Sequence, residues 1–222
     1  MSISENILKI KSKLPESVAL VAVSKTKPIS DLLEAYNVGQ RIFGENKIQE
    51  MVSKYNEMPK DIAWHMIGHI QRNKVKYMAP FVSLIHGVDS LRLLTEINKQ
   101  ALKNNRIIDC LLQVKIATEE NKFGLLENEV LNFIASEEIK KFKNIKIVGL
   151  MGMATFTDNQ EQLQKEFEML KCVFDNLTHR KSFNFNLKTL SMGMSDDYPI
   201  AIKNGSTMIR VGSLIFGKRT LA

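Results

Sequence analysis

Three short stretches hold the residue types that can do chemistry. The first is Val18-Ala-Leu-Val-Ala-Val-Ser-Lys-Thr-Lys-Pro28. Six apolar residues lead to Ser24 and Lys25, and the run reads as a strand buried on both faces. Pro28 cannot continue a central strand and biases Lys27 toward an extended backbone. Lys25 therefore stands where a buried strand reaches one open end of the fold. An ammonium there is costly to desolvate unless it is paired or loses its proton. A lysine held near neutrality is what imine formation with an aldehyde requires. A lysine that snorkels to water from the strand end is the other reading. The second stretch, Ser191-Met-Gly-Met-Ser-Asp-Asp197, joins a glycine, two hydroxyls and a helix start. Ser195-Asp196 alone also reads as a plain helix N-cap. The third, Met208-Ile-Arg-Val-Gly-Ser213, sets Arg210 among apolar neighbours. An inward arginine in an apolar strand needs a partner inside the site; a strand-edge arginine facing a helix carboxylate is the alternative. Gly212 lies within the same expected strand, where backbone can approach a ligand closely.

The elements that must position these residues alternate along the chain. Apolar runs predict strands over residues 18–25, 41–45, 63–69, 82–88, 107–116, 145–153, 187–192 and 207–216. An opening amphipathic helix covers 3–14, with Ile7 and Ile10 inward. Ser30 is the expected N-cap of the next helix and Gly39 its end. Helical stripes follow at Ile48, Met51, Val52 and Tyr55, and at Leu91, Leu94, Ile97 and Ala101. A short basic helix covers 71–78. Further stripes run through Leu126, Val130, Phe133 and Ile134, and from Leu163 to Leu177, the latter opened by an Asp158/Glu161 capping box. A last short helix spans 196–203. Eight strands, each followed by a helix except the last, imply parallel strands joined by crossovers. The expectation is α/β: a single (β/α)8 barrel of TIM type, one domain over residues 1–222. An open doubly wound sheet would carry a glycine-rich turn after the first strand; here that turn is Ser-Lys-Thr-Lys-Pro.

Barrels carry their sites at the C-terminal strand ends. Those ends give Lys25, Asn46, Gly68-His69, Asp89-Ser90, Lys115, Met153, and the turns at 191–197 and 210–213. Phosphate commonly binds between strands seven and eight, on main-chain N–H groups and a short helix start. An aldehyde-reactive lysine, a phosphate cradle and an arginine opposite describe a pocket for pyridoxal 5′-phosphate. Val21-Ala-Val-Ser-Lys-Thr-Lys-Pro28 resembles the lysine strand of the pyridoxal phosphate homeostasis proteins (the YggS/PROSC family). Phe43-Gly-Glu-Asn-Lys-Ile-Gln-Glu50, Trp64-His-Met-Ile-Gly-His-Ile-Gln71 with Asn73-Lys74, and Gly149-Leu-Met151 resemble further blocks. So do Ser191-Met-Gly-Met-Ser-Asp196, Ala201-Ile202, Gly205-Ser-Thr-Met-Ile-Arg-Val-Gly212 and Ile215-Phe-Gly217. The resemblance covers nearly the whole chain in order.

It implies the barrel of the alanine racemase N-terminal domain, with the cofactor held as an internal aldimine on Lys25. It places Asn46 near the ring, and Met194, Ser195, Gly212 and Ser213 around the phosphate, partly through main chain. Arg210 faces the pyridine nitrogen. An arginine there is a poor proton donor, so the ring is a weak electron sink. The racemases that share this feature add a second, β-rich domain and a catalytic tyrosine, and this chain ends soon after the eighth strand. Tyr36, Tyr55 and Tyr77 fall in expected helices; only Tyr198 lies near the open end. The implied function is storage, buffering or delivery of the cofactor, without dedicated catalysis, with pyridoxal-phosphate-dependent apoenzymes as recipients. A racemase-like enzyme is the alternative. A cofactor-free barrel aldolase using the lysine is a second rival.

Bulk properties narrow the rest. With 44% hydrophobic and 25% charged residues the chain has ordinary globular composition. A net charge of +7 favours anionic partners. The excess is scattered, though, and the cluster Lys140, Lys141, Lys143 and Lys146 reads as a solvated helix end, so nucleic acid is not expected. Cys110 and Cys172 have no metal-ligand spacing, and no metal is expected. A cysteine count of two that fits a reducing compartment, the lack of a signal-peptide core and the lack of a membrane-length apolar run lead to an expected place in the cytoplasm. A monomer is expected, with no helix face more apolar than the core needs. His65 and His69 read as hydrogen-bonded structural histidines, His86 as packing, Cys110 as core. Lys27, Lys115 and Lys122 read as solvated, with secondary attachment points or electrostatic guidance of a phosphorylated aldehyde the alternative. Met151, Met153, Met192 and Met194 suit core filling or an adaptable pocket wall.

Overall fold

The computed structural model describes residues 2–119 and 123–217. Its eight strands are β1 (Ala19–Val23), β2 (Ile42–Glu45), β3 (Ala63–Met66), β4 (Leu84–Val88), β5 (Ile108–Val114), β6 (Ile145–Gly152), β7 (Phe185–Ser191) and β8 (Met208–Val211). They are rich in residues that tolerate burial on both faces; all five positions of β4 are buried. Each strand pairs in parallel with the next, and β8 pairs with β1, so the sheet closes in the order β1 to β8. The helices that cross back are α2 (Ile29–Asn37), α3 (Ile48–Glu57), α4 (Val75–Met78), α5 (Leu91–Lys103), α6 (Glu127–Ala135), α7 (Gln160–Thr178) and α8 (Tyr198–Lys203). The helix α1 (Ile3–Lys11) precedes the barrel and α9 (Ser213–Phe216) follows it. The expected (β/α)8 barrel is therefore the fold.

Alternation along the strands splits the core in two. Leu20, Ala22, Ile209 and Val211 face the helices within the larger apolar cluster. Val21, Leu84, Leu111, Met151 and Met208 form a separate cluster from five strands, filling the barrel interior. Arg210 lies opposite Val21 in the β1–β8 register, on that same inward face but closer to the C-terminal end than Met208. Apolar residues thus plug the lower barrel and polar ones sit above them.

Several local expectations differ from the structure. The second helix starts at Ile29 after Pro28, not at a Ser30 cap, because proline's fixed φ suits a helix entrance. The long α7 is capped by Asn159, whose side chain accepts from Gln162 N at 3.2 Å, rather than by an Asp158/Glu161 box. Leu126 lies just before α6 and is exposed, outside the buried stripe. The third strand stops at Met66, short of His69. The eighth stops at Val211, so Gly212 is not inside it: the chain turns there into α9. That turn is held from the first helix, where Asn6 Nδ2 donates to Ile215 O at 3.0 Å.

Candidate functional site

A cavity of about 390 Å3 opens at the C-terminal end of the barrel. Lys25, Asn46, Met194, Ser195, Arg210, Gly212 and Ser213 all line it, although they are up to 188 positions apart (213 minus 25). Lys27, Gly68, His69, Met153 and Asp196 join them, as do Val23, Ile67, Gln113, Phe123, Phe156 and Gly217. Of the wall residues, Gln113 and the exposed aromatics Phe123 and Phe156 carried no sequence signal. Gln113 reads as a strand residue, and its Nε2 donates to Phe123 O at 2.9 Å. Lys27, read as solvated, lines the cavity and donates to Phe216 O at 2.6 Å. Lys115 is half-buried outside the lining, and Lys122 lies outside the described residues.

Lys25 sits in the tight turn that follows β1. Ser24 before it is fully buried; its N–H donates to Gly44 O at 3.1 Å and its Oγ to Glu45 Oε1 at 2.6 Å. Thr26 after it has φ +63°, a left-handed conformation that a β-branched residue adopts only under constraint. Asn46 is brought beside the cavity by Gly68. A Cβ on residue 68 would run into the Asn46 carbonyl and lie 2.7 Å from its Cα. The β2 and β3 ends therefore approach more closely than any side chain on residue 68 would allow.

Arg210 is 4% exposed and points into the barrel. Its Nη1 donates to Ser191 O at 2.9 Å and to Ser191 Oγ at 2.7 Å, and its Nη2 donates to Gly152 O at 3.0 Å. Three of the five guanidinium N–H donors are thus committed to β6 and β7, which leaves one on Nη2 and that of Nε. Burial lowers the guanidinium to about 10, against the pull of Asp197, so it stays cationic at neutral pH. Behind Ser191 the polar chain continues: its Oγ is 3.1 Å from His86 Nδ1, and His86 Nε2 is 3.1 Å from His65 Nδ1. His65 is hydrogen-bonded, as expected. His86 is more than packing, because its ring links Ser191 to His65. Burial holds both imidazoles neutral, His65 at about 3 and His86 well below its ordinary 6.5. His69 lies past the strand, its ring stacked 4.2 Å from Phe123 and 3.7 Å from Asp89.

The turn after β7 is built around Gly193, at φ +95°, whose carbonyl accepts from Arg210 N at 3.0 Å. Asp197 Oδ1 accepts from Met194 N at 2.5 Å and Ser195 Oγ from Gly212 N at 3.3 Å. Asp197, not Asp196, is the cap position of α8. Burial pushes its carboxyl up, against the Met194 N–H and the Arg210 charge. Gly212 lets this turn close on β1: a Cβ there would stand 3.2 Å from Val23 O. The cavity lining thus brings together the hydroxyl residues Ser195 and Ser213, the primary amine of Lys25 and the buried cation of Arg210. That donor set fits a ligand with an anionic group, a planar ring acceptor and an electrophilic carbon.

A closed parallel barrel with a polar cavity at the C-terminal ends of its strands is a ligand-binding β/α barrel of TIM type. The family model described as alanine racemase, N-terminal domain, matches residues 1–220. The pyridoxal phosphate homeostasis protein of Aquifex aeolicus is 40% identical, covering 90% of this chain and 86% of that one. Its namesake from Haemophilus influenzae is 37% identical over 97% of this chain and 91% of its own. PipY of Synechococcus elongatus, solved with PLP bound, superposes with a TM-score of 0.88 at 33% identity, covering 97% of this chain and all of that one. Alanine racemase from E. faecalis shares the fold, with a TM-score of 0.77 at 17% identity and 60% of its own length covered. The chain belongs to the pyridoxal phosphate homeostasis protein family.

Proposed function

We propose that this chain binds pyridoxal 5′-phosphate in the cavity at the C-terminal end of the barrel, with Lys25 as the residue that carries it. Its role is to store, buffer or hand on the cofactor rather than to turn over a substrate. The observation that carries this reading is the convergence of Lys25, Arg210 and the Ser195–Gly212–Ser213 turns on one cavity. When bound, the group supplies an aldehyde for a primary amine, a planar ring and a phosphate dianion. Lys25 supplies the amine, Arg210 a cation that orients the ring without giving up its proton, and Asn46 a polar edge beside the ring. Met194, Ser195, Gly212 and Ser213 supply the phosphate contacts. Lys27 adds positive charge at the mouth.

A second reading, a racemase-like enzyme, draws on the shared barrel. It needs a second proton-transferring group opposite Lys25. Tyr198 packs partly buried against the core and does not line the cavity, and no other tyrosine among the described residues lines it. No helix among the described residues is long and apolar enough to cross a membrane. We take the barrel to be one domain, working as a monomer in the cytoplasm, with apoenzymes as recipients and no nucleic-acid partner.

Mixing purified protein with the cofactor, reducing with borohydride and mapping the adduct by mass spectrometry tests the central claim. The expected result is a single stable adduct on Lys25, absent in Lys25→Ala. Wild-type protein without an adduct at Lys25 overturns the reading. Sustained racemisation across a panel of amino acids would favour the enzyme instead.

A further inference from the structure

Lys54 lies on α3, outside the cavity, and its side chain is only 6% exposed. Its Nζ donates to Ser24 O at 2.7 Å, to Glu45 Oε1 at 2.8 Å and to Glu50 Oε1 at 2.7 Å. Each acceptor leads to the turn that carries Lys25. Ser24 is the residue immediately before it. The same Glu45 oxygen accepts from Ser24 Oγ at 2.6 Å, while Glu45 Oε2 is buried without a partner among the described residues. Glu50 Oε1 accepts from Thr26 N at 2.5 Å, the residue immediately after Lys25. Both peptide neighbours of Lys25 are therefore tied to one buried ammonium, directly or through one carboxylate. Thr26 also holds a left-handed φ, which persists only where its surroundings over-determine it.

A buried ion pair is a poor source of net stability, because desolvation of both charges offsets their attraction. Here three donors of one ammonium are spent on a strained turn, and one carboxylate oxygen of Glu45 goes unused. The arrangement makes better sense as a fixture for geometry. We propose that Lys54 is a positioning residue for Lys25: through Ser24, Glu45 and Glu50 it fixes the backbone on both sides of the reactive lysine, and so fixes where the amine meets its aldehyde. This rests on the reading that Lys25 carries pyridoxal 5′-phosphate. The amine adds to the aldehyde carbon and water leaves, so the step needs no further reactant, only alignment.

The test uses two ligands. Pyridoxal 5′-phosphate reports the covalent bond, read as the rate of borohydride-trapped adduct at Lys25. Pyridoxine 5′-phosphate has an alcohol in place of the aldehyde and reports the phosphate and ring contacts alone. In Lys54→Met the adduct should form about tenfold to a hundredfold more slowly, the penalty for a displaced reacting group. Pyridoxine 5′-phosphate should bind within about twofold of wild type, because its contacts do not involve the amine. Glu50→Gln, on a half-exposed helix position, is the second variant if Lys54→Met does not fold. It should slow trapping in the same direction by about threefold to tenfold, as one charge-assisted hydrogen bond weakens. Wild-type trapping rates in the folded variant, or equal loss of both ligands, would overturn the positioning role. Wild-type protein that forms no adduct at all would instead sink the cofactor reading itself.

Discussion

The side chains of this site divide into those that meet a ligand and those that hold them. Arg210 is held by Ser191 and Gly152, and Ser191 in turn by His86 and His65. Burial holds both rings of that chain neutral. An unfolded histidine takes up its proton near pH 6.5, whereas folded His65 does so only near pH 3. Below pH 6.5 the unfolded chain therefore binds more protons than the folded one. The stability His65 contributes is present above pH 6.5 and is lost as the pH falls toward 3, by about 1.4 kcal/mol per pH unit, and His86 shifts in the same direction. Urea unfolding at pH 7 and pH 5 should show that loss, and nitrogen NMR should find both rings uncharged at pH 5. An imidazolium signal there from either ring would refute the account. The two cysteines make a second contrast. Cys110 is fully buried, with its thiol pushed up by burial, whereas Cys172 is exposed. A thiol reagent should modify Cys172 alone in native protein and both after denaturation.

At the scale of elements, the site depends on strand ends coming closer than side chains permit. Gly68 is the clearest case, since a Cβ there meets the backbone of Asn46. Gly68→Ala should cost about 1–3 kcal/mol as the two strand ends are forced apart. It should also weaken cofactor affinity, because Asn46 moves with its strand. Thermal melts and a cofactor titration measure the two effects; unchanged affinity would show that Asn46 does not touch the ring. The three short turns differ in kind. The Lys25 turn is held by buried charge, the Gly193 turn by main-chain bonds and Asp197, and the Gly212 turn by α9 and its tie to Asn6.

At the scale of the whole molecule, a plug of five apolar residues separates the polar cavity from the opposite barrel end. Leu111 is fully buried within it, and the five members of the plug come from five different strands. Leu111→Ala should cost about 2–5 kcal/mol, because a closed barrel cannot easily collapse into the space left. Calorimetry should show a melting temperature lower by several degrees, on the scale of about 2–4 °C per kcal/mol for a chain this long. A loss below about 0.5 kcal/mol would mean that the interior repacks freely.

The sequence by itself determined the alternation, and with it the barrel, because strand and helix periods are local properties that tertiary contacts did not override. It also named Lys25, Asn46, Arg210 and the two hydroxyl-bearing turns, because each breaks an apolar pattern at a strand end. Helix entrances at Pro28 and Asn159 were misread, since several nearby side chains can cap and only the backbone angles choose among them. Lys54 was invisible: it reads as one more charged residue on a helix, and its meaning depends on Ser24, thirty positions away. His86 was likewise undervalued, because its partner Ser191 is 105 positions on. Which polar groups become buried partners was decided only when the sheet closed on itself, since closure brings strands that are remote in the chain within hydrogen-bonding distance.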